Sequence, residues 1–238
     1  MASAPSARAS RPRRTVGTMR IVIAGGHGQI ALRLERLLAG RGDEVAGLIR
    51  NREQGDDLRE AGAEPVLCDL ESAITEEVAA HLQGADAAVF AAGAGPGSGV
   101  ARKDTVDRAA AELFAEAAER AGVRRFLVVS SMGAGSEPPP ETDPVFAAYL
   151  RAKGAADAAV RARTGLDWTI LRPGRLTDDP GTGLVTLAER TGRDAVPRDD
   201  VAAVLAALLD EPGTIGKTLE LISGTVPVAE AVKASGAG

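Results

Sequence analysis

From Met19 onward the chain alternates short β-branched or apolar runs with longer stretches whose apolar residues recur every three or four positions. The first run, RIVIA at 20–24, ends in Gly25. Residues 29–39 then place Ile30, Leu34, Leu37 and Leu38 on one stripe, closed by Gly40 and Gly42. Such a change of period predicts a strand followed by a helix. The same reading predicts further strands at 44–49, 65–68, 86–91, 125–130, 167–171 and 218–221. Helices are expected over 52–61, up to about 82, and over 104–121, 145–163 and 199–209, with loops at 133–144 and 173–183. Strands alternating with helices of this length require crossovers, and so a parallel sheet covered on both faces. The expected fold class is α/β: a doubly wound, three-layer α/β/α sheet of two mononucleotide-binding halves, order 3-2-1-4-5-6.

With 238 residues, 45% of them hydrophobic, the chain can build one substantial core. Residues 19–238 read as a single domain, with a small C-terminal segment, about 173–238, shaping a substrate pocket. Residues 1–18 stand apart: they carry Arg8, Arg11, Arg13 and Arg14, no acid, and mostly Ser, Ala, Pro and Thr. This composition cannot bury apolar surface and predicts a disordered basic tail, with Met19 as an alternative start. The net charge of -5 argues against a nucleic-acid partner. No run approaches the ~18 apolar residues a membrane helix needs. A single cysteine, Cys68, excludes an internal disulfide and a cysteine-based zinc site and fits a reducing compartment, so a cytoplasmic protein without a metal site is expected. The bases are 24 arginines against four lysines, at 103, 153, 217 and 233, which makes each lysine an unusual choice in this chain.

The segment AGGHGQIA at 24–31 lies between the first strand and the first helix. Gly25 falls at the tight turn, Gly28 where backbone must approach a pyrophosphate, and Ala31 where helix packs on strand. Gly26, His27, Gln29 and Ile30 complete the loop, whose helix-end amides and dipole suit an anion. His27 reads as a turn residue rather than a base. The bland alternative for the whole loop is a turn that is merely tight. After the second strand, Arg50 stands where an NAD-selective site would carry a carboxylate, and with Asn51 and Arg52 it favours the 2′-phosphate of NADP, NAD remaining possible. Asp69 and Leu70 would flank an adenine. Ala91, Ala92 and Gly93 would let backbone approach the cofactor, with the 95–99 segment as a cover or a plain surface loop.

Tyr149 is the chain's one tyrosine, and Lys153 follows four residues later on the same face of the same predicted helix. An ammonium near a phenol stabilises the phenolate, making tyrosine usable as an acid/base near neutral pH. Ser130 and Ser131 end the fifth strand, on the crevice side of such a sheet, where a hydroxyl can hold a carbonyl or alcohol. A half-buried surface tyrosine and a solvated lysine are the plain alternatives.

These segments resemble the atypical, epimerase-like branch of the short-chain dehydrogenase/reductases. The resemblance rests on GGHGQIA (25–31), LIRN (48–51), AGVRRFLVVSSMGA (121–134), YLRAK (149–153) and LRPGRLTDDPGTG (171–183), and spans essentially all of 19–230. It implies a Rossmann fold, a nicotinamide near Pro173 and Gly174, and a proton-transfer set of Ser131, Tyr149 and Lys153, the lysine also binding the nicotinamide ribose. The family's fourth position, often asparagine, aligns with Asp107, which would hold Lys153 through water or quench its effect on Tyr149. The expected function is NADP-dependent hydride transfer on a small carbonyl, alcohol or quinone-like compound. Two other readings stand beside it: a catalytically silent NADP sensor, and a sugar-nucleotide epimerase or dehydratase, for which little chain remains after the sixth strand. Alanine-rich faces at 104–121 and 145–163 suit a homodimer or ordinary packing on the sheet.

Overall fold

The computed structural model describes residues 18–95 and 97–237, so the expected tail at 1–18 lies, but for Thr18, outside the described residues. Strand β1 (Arg20–Ala24) shows why the chain must be layered. Ile21 and Ile23 face one side of the sheet, Val22 and Ala24 the other, and all four are fully buried. A strand buried on both faces needs helices above and below it.

Beside β1 run β2 (Glu44–Ile49) and β3 (Glu64–Leu67) on one flank. On the other flank run β4 (Ala87–Phe90), β5 (Arg125–Val129) and β6 (Asp167–Pro173), all parallel. The order β3-β2-β1-β4-β5-β6 is the one the sequence predicts. Helix α1 (Gln29–Gly40) lies on one face with α7 (Arg198–Leu209) and α8 (Val228–Gly236), where Leu34, Leu38, Leu205, Leu208 and Val232 share a core. Helices α3 (Thr75–Leu82), α5 (Ala110–Ala121) and α6 (Pro144–Arg161) cover the other face. There Phe114 lies between Phe90 and Phe126, with ring centroids 6.2 and 5.7 Å away. The short α2 (Gly55–Glu60) follows a 3₁₀ turn at Arg52–Gln54, where a single helix over 52–61 is predicted.

Two regions depart from the sequence reading. The predicted helix over 104–121 begins earlier, at α4 (Val100–Arg102), and passes through a π-helical turn, Lys103–Ala109, before α5. The second is the C-terminal part. The predicted loop at 173–183 contains β7 (Arg175–Thr177), which pairs with β9 (Ala195–Pro197) in a small separate sheet. Between them β8 (Leu184–Ala188) joins the main sheet, antiparallel to β10 (Lys217–Ser223), and β11 (Val226–Pro227) closes the edge. Residues 181–183 are fixed by carboxylates at the start of α7: the amides of Gly181, Thr182 and Gly183 donate to Asp199 and Asp200 at 2.8–3.1 Å. Thus much of the segment expected to shape a pocket is built into the sheet. No helix among the described residues is long and apolar enough to cross a membrane.

Candidate dinucleotide and acid/base site

A cleft of about 230 Å³ opens at the carboxyl ends of β1 to β4, across the point where the strand order reverses. This is where open α/β sheets bind ligands. Gly25, His27 and Gly28 line it from the first turn, Arg50 from the second, Asp69 and Leu70 from the third, and Ala91, Ala92 and Gly93 from the fourth. Gly25 has φ +76°, and a Cβ there would lie 2.6 Å from the Ala92 Cα. The Gly28 amide donates to the Gly25 carbonyl at 2.8 Å, and a Cβ on Gly28 would come within 3.0 Å of that oxygen. The turn is therefore closed to side chains, and α1 begins directly behind it with its first amides toward the cleft. Such a bare-backbone cradle fits the pyrophosphate of a dinucleotide.

Other residues of that loop do different work. Gly26 packs against Gly47, where a Cβ would meet the Gly47 Cα at 2.8 Å. Gln29 is exposed and accepts from Arg33 (2.8 Å), while Ile30 packs on the core. His27 is held by Asp57 (2.7 Å) and Gln54 (3.2 Å), in keeping with a turn residue. Asn51 and Arg52 are exposed, do not line the cleft, and open the 3₁₀ turn. Beneath the loop, Glu35 is fully buried, and burial pushes its carboxyl up to about 8 against the opposing pull of Arg36.

Tyr149 and Lys153 come together as the helix spacing predicts: the Lys153 ammonium is 6.0 Å from the Tyr149 ring centroid. Lys153 is buried, donates to the carbonyls of Val129 (3.0 Å) and Ala92 (3.4 Å), and lies 3.3 Å from Asp107. The contact with Asp107 is direct rather than through water. Asp107 also accepts from the Ala94 amide at 3.3 Å.

The Ser131 hydroxyl donates to the Met132 carbonyl at 3.3 Å. Ser130 faces elsewhere, donating at 2.9 Å to buried Asp157, which also accepts two bonds from Arg172. Pro173 ends β6 and Gly174 follows it, two strands away from β4, and both lie outside the cleft lining. The Gly174 backbone is crowded by Asp194, whose carbonyl a Cβ would strike at 2.1 Å.

Lys103 was missed, as were Glu71 and Arg102, which line the cleft. Lys103, on the π turn, is buried, donates to the Gly95 carbonyl at 2.9 Å, and lies 5.4 Å from the Tyr149 ring centroid. Tyr149 thus has two ammonium groups beside it, while Phe146 stacks on its ring at 5.9 Å. The scarcity of lysine was the signal that could have found Lys103.

Comparison with known proteins points to the same fold and to a nicotinamide cofactor. A family described as NAD(P)H-binding matches residues 25–212. The "uncharacterized sugar epimerase YhfK" of Bacillus subtilis is 39% identical over 216 residues, 90% of this chain and 99% of that one. A Bacillus halodurans structure, provisionally named an NAD-dependent epimerase/dehydratase, is 37% identical with a TM-score of 0.82, covering 91% of this chain and 99% of that one. The oxidoreductase ylbE of Lactococcus lactis is 28% identical with a TM-score of 0.77, covering 91% and 96%. The chain belongs to the NAD(P)H-binding family, of the atypical short-chain dehydrogenase/reductase type that its motifs resemble.

Proposed function

We propose that the protein is an NADP-preferring oxidoreductase that reduces or oxidises a small carbonyl, alcohol or quinone-like compound. The observation that carries this reading is Tyr149, half-buried between the buried ammonium groups of Lys103 and Lys153 near the carboxyl ends of β4 and β5. A bound nicotinamide supplies the hydride. Tyr149 holds the proton that passes to or from the substrate oxygen, with the Lys103 and Lys153 ammonium groups beside its ring. Gly25 and Gly28 admit the pyrophosphate, Arg50 takes the 2′-phosphate, and Asp69 and Leu70 border the adenine. The substrate is reached from the side of α6, where Phe146 is half exposed.

The names of two relatives, one a sugar epimerase and the other an epimerase/dehydratase, favour epimerisation or dehydration instead. Against this, β7 to β11 together with α7 and α8 occupy most of the chain after β6, leaving little to enclose a nucleotide-sugar. A sensor without turnover is favoured by the Lys153–Asp107 pair.

The test is a screen of quinones, aldehydes and ketones, following NADPH oxidation at 340 nm, with Tyr149→Phe beside the wild type. Turnover that falls about 100-fold in the variant, at unchanged NADPH affinity, supports the enzyme reading. Full activity in Tyr149→Phe overturns the acid/base role. Tight NADPH binding with no turnover across the screen favours the sensor.

A further inference from the structure

At the mouth of the cleft, loops following β2, β3 and β4 converge on a single carboxylate. Glu71 Oε2 lies 2.6 Å from Arg102 Nη2 but 3.6 Å from Arg50 Nη1. Its Oε1 accepts from the Thr105 hydroxyl at 2.8 Å. Arg50, Glu71 and Arg102 all line the cleft. Glu71 is the one ionic partner of Arg102 among the described residues.

The charges here oppose one another. A carboxylate at the adenosine end accepts from the ribose 2′-hydroxyl of NAD, whereas it repels a 2′-phosphate. If Glu71 were free it would do both, and it would also neutralise Arg50, the residue a phosphate needs. As built, Arg102 and Thr105 engage both oxygens of Glu71 and draw it toward α4 and the π turn. Arg50 stands a full ångström farther off, with almost half of its side chain exposed.

We propose that Arg102 is a positioning residue that sets cofactor choice: by clasping Glu71 it leaves Arg50 to the 2′-phosphate. Removing it turns the site toward NAD. This rests on the NADP reading of Arg50 given above. Arg102 acts through Glu71 and need not touch the cofactor.

The experiment is a fluorescence titration with NADPH and NADH at fixed ionic strength. It compares wild type with Arg102→Met, Glu71→Gln, the Arg102→Met/Glu71→Gln double variant and Arg50→Ala, with thermal melts to confirm folding. Arg102→Met should weaken NADPH about tenfold and leave NADH within about twofold. The double variant should regain NADPH affinity to within about twofold of wild type, because no carboxylate remains to be restrained. Thr105→Val, a milder change, should move NADPH in the same direction by less, and serves if Arg102→Met does not fold.

A double variant as weak as Arg102→Met overturns the proposal, since Arg102 would then meet the phosphate itself. Equal weakening of NADPH and NADH overturns it too. A wild type without NADPH preference, or an Arg50→Ala variant with an unchanged preference, removes the underlying NADP reading. If Arg50→Ala abolishes the preference while Arg102→Met keeps it, the clasp alone fails.

Discussion

The Lys153 ammonium lies 3.3 Å from the Asp107 carboxylate, and neither side chain reaches solvent to any useful extent. Both charges are fixed between the ends of β4 and β5, so Lys153 is shared between Asp107 and Tyr149 rather than devoted to the tyrosine. Lys103, also beside the ring, donates to the Gly95 carbonyl instead of to a carboxylate.

Breaking this pair from one side leaves an uncompensated charge in the core. Asp107→Ala is expected to cost about 3–5 kcal/mol of unfolding free energy, read by urea denaturation. Replacing both partners, as Asp107→Leu with Lys153→Met, should recover at least half of that loss. A double variant no more stable than Asp107→Ala would show that the two charges are not coupled.

Ser130 offers a contrast, because its hydroxyl serves Asp157. Ser130→Ala should cost about 1–2 kcal/mol in the same assay, as one bond to a charged group is lost while Arg172 still holds Asp157. NADPH affinity should stay within about twofold of wild type. A large loss of affinity would restore Ser130 to the cofactor site.

Gly25 is held at φ +76° against the backbone of Ala92. Gly25→Ala therefore meets both a strained conformation and a backbone collision that no rotamer relieves. The expected cost is about 2 kcal/mol or more, together with loss of detectable NADPH binding by isothermal calorimetry. Binding at wild-type strength would place the dinucleotide elsewhere.

Glu35 makes stability depend on pH in a defined direction. Burial raises its carboxyl in the folded state to about 8, and its oxygens have no hydrogen-bond partner among the described residues. The folded chain keeps this proton where the unfolded chain has lost it. The contribution is therefore fully present below the unfolded value of 4.5 and declines as pH rises, until it is gone above about 8. Each pH unit in that window is worth about 1.4 kcal/mol. Glu35→Gln should match wild type near pH 4.5 and exceed it at pH 9 by a few kcal/mol in chemical denaturation. Parallel pH profiles for the two proteins would show that Glu35 does not carry the effect.

The nucleotide half of the fold was legible because local chemistry decides it. RIVIA before Gly25, the Leu34–Leu38 stripe and the glycines at 40 and 42 that close it are short-range signals, and β1 to β6 stand in the predicted order. What was not legible depends on distant partners. LVTLA in β8 alternates buried and exposed residues only because β10, some 30 residues later, lies beside it. The three-residue strands β7 and β9 have no pattern of their own and exist through each other. In the site, the four-residue spacing of Tyr149 and Lys153 survives folding. The separation of Ser130 from Ser131 does not show in sequence, because Asp157 claims one hydroxyl from a helix packed across the strand end. The π turn was hidden as well, since Lys103 and Asp107 sit in an ordinary helical run and face inward only once the backbone widens there.

Every residue lining the cleft precedes position 111, whereas β5 to β11 and the last three helices contribute none. The two flanks of one sheet are therefore under separate sequence control. On the proposed function, changes on the later flank away from Lys153 alter which compound approaches Tyr149 while the cleft lining stays as it is. Descendants of this chain could thus part company in what they transform while continuing to draw on the same cellular pool of reducing power.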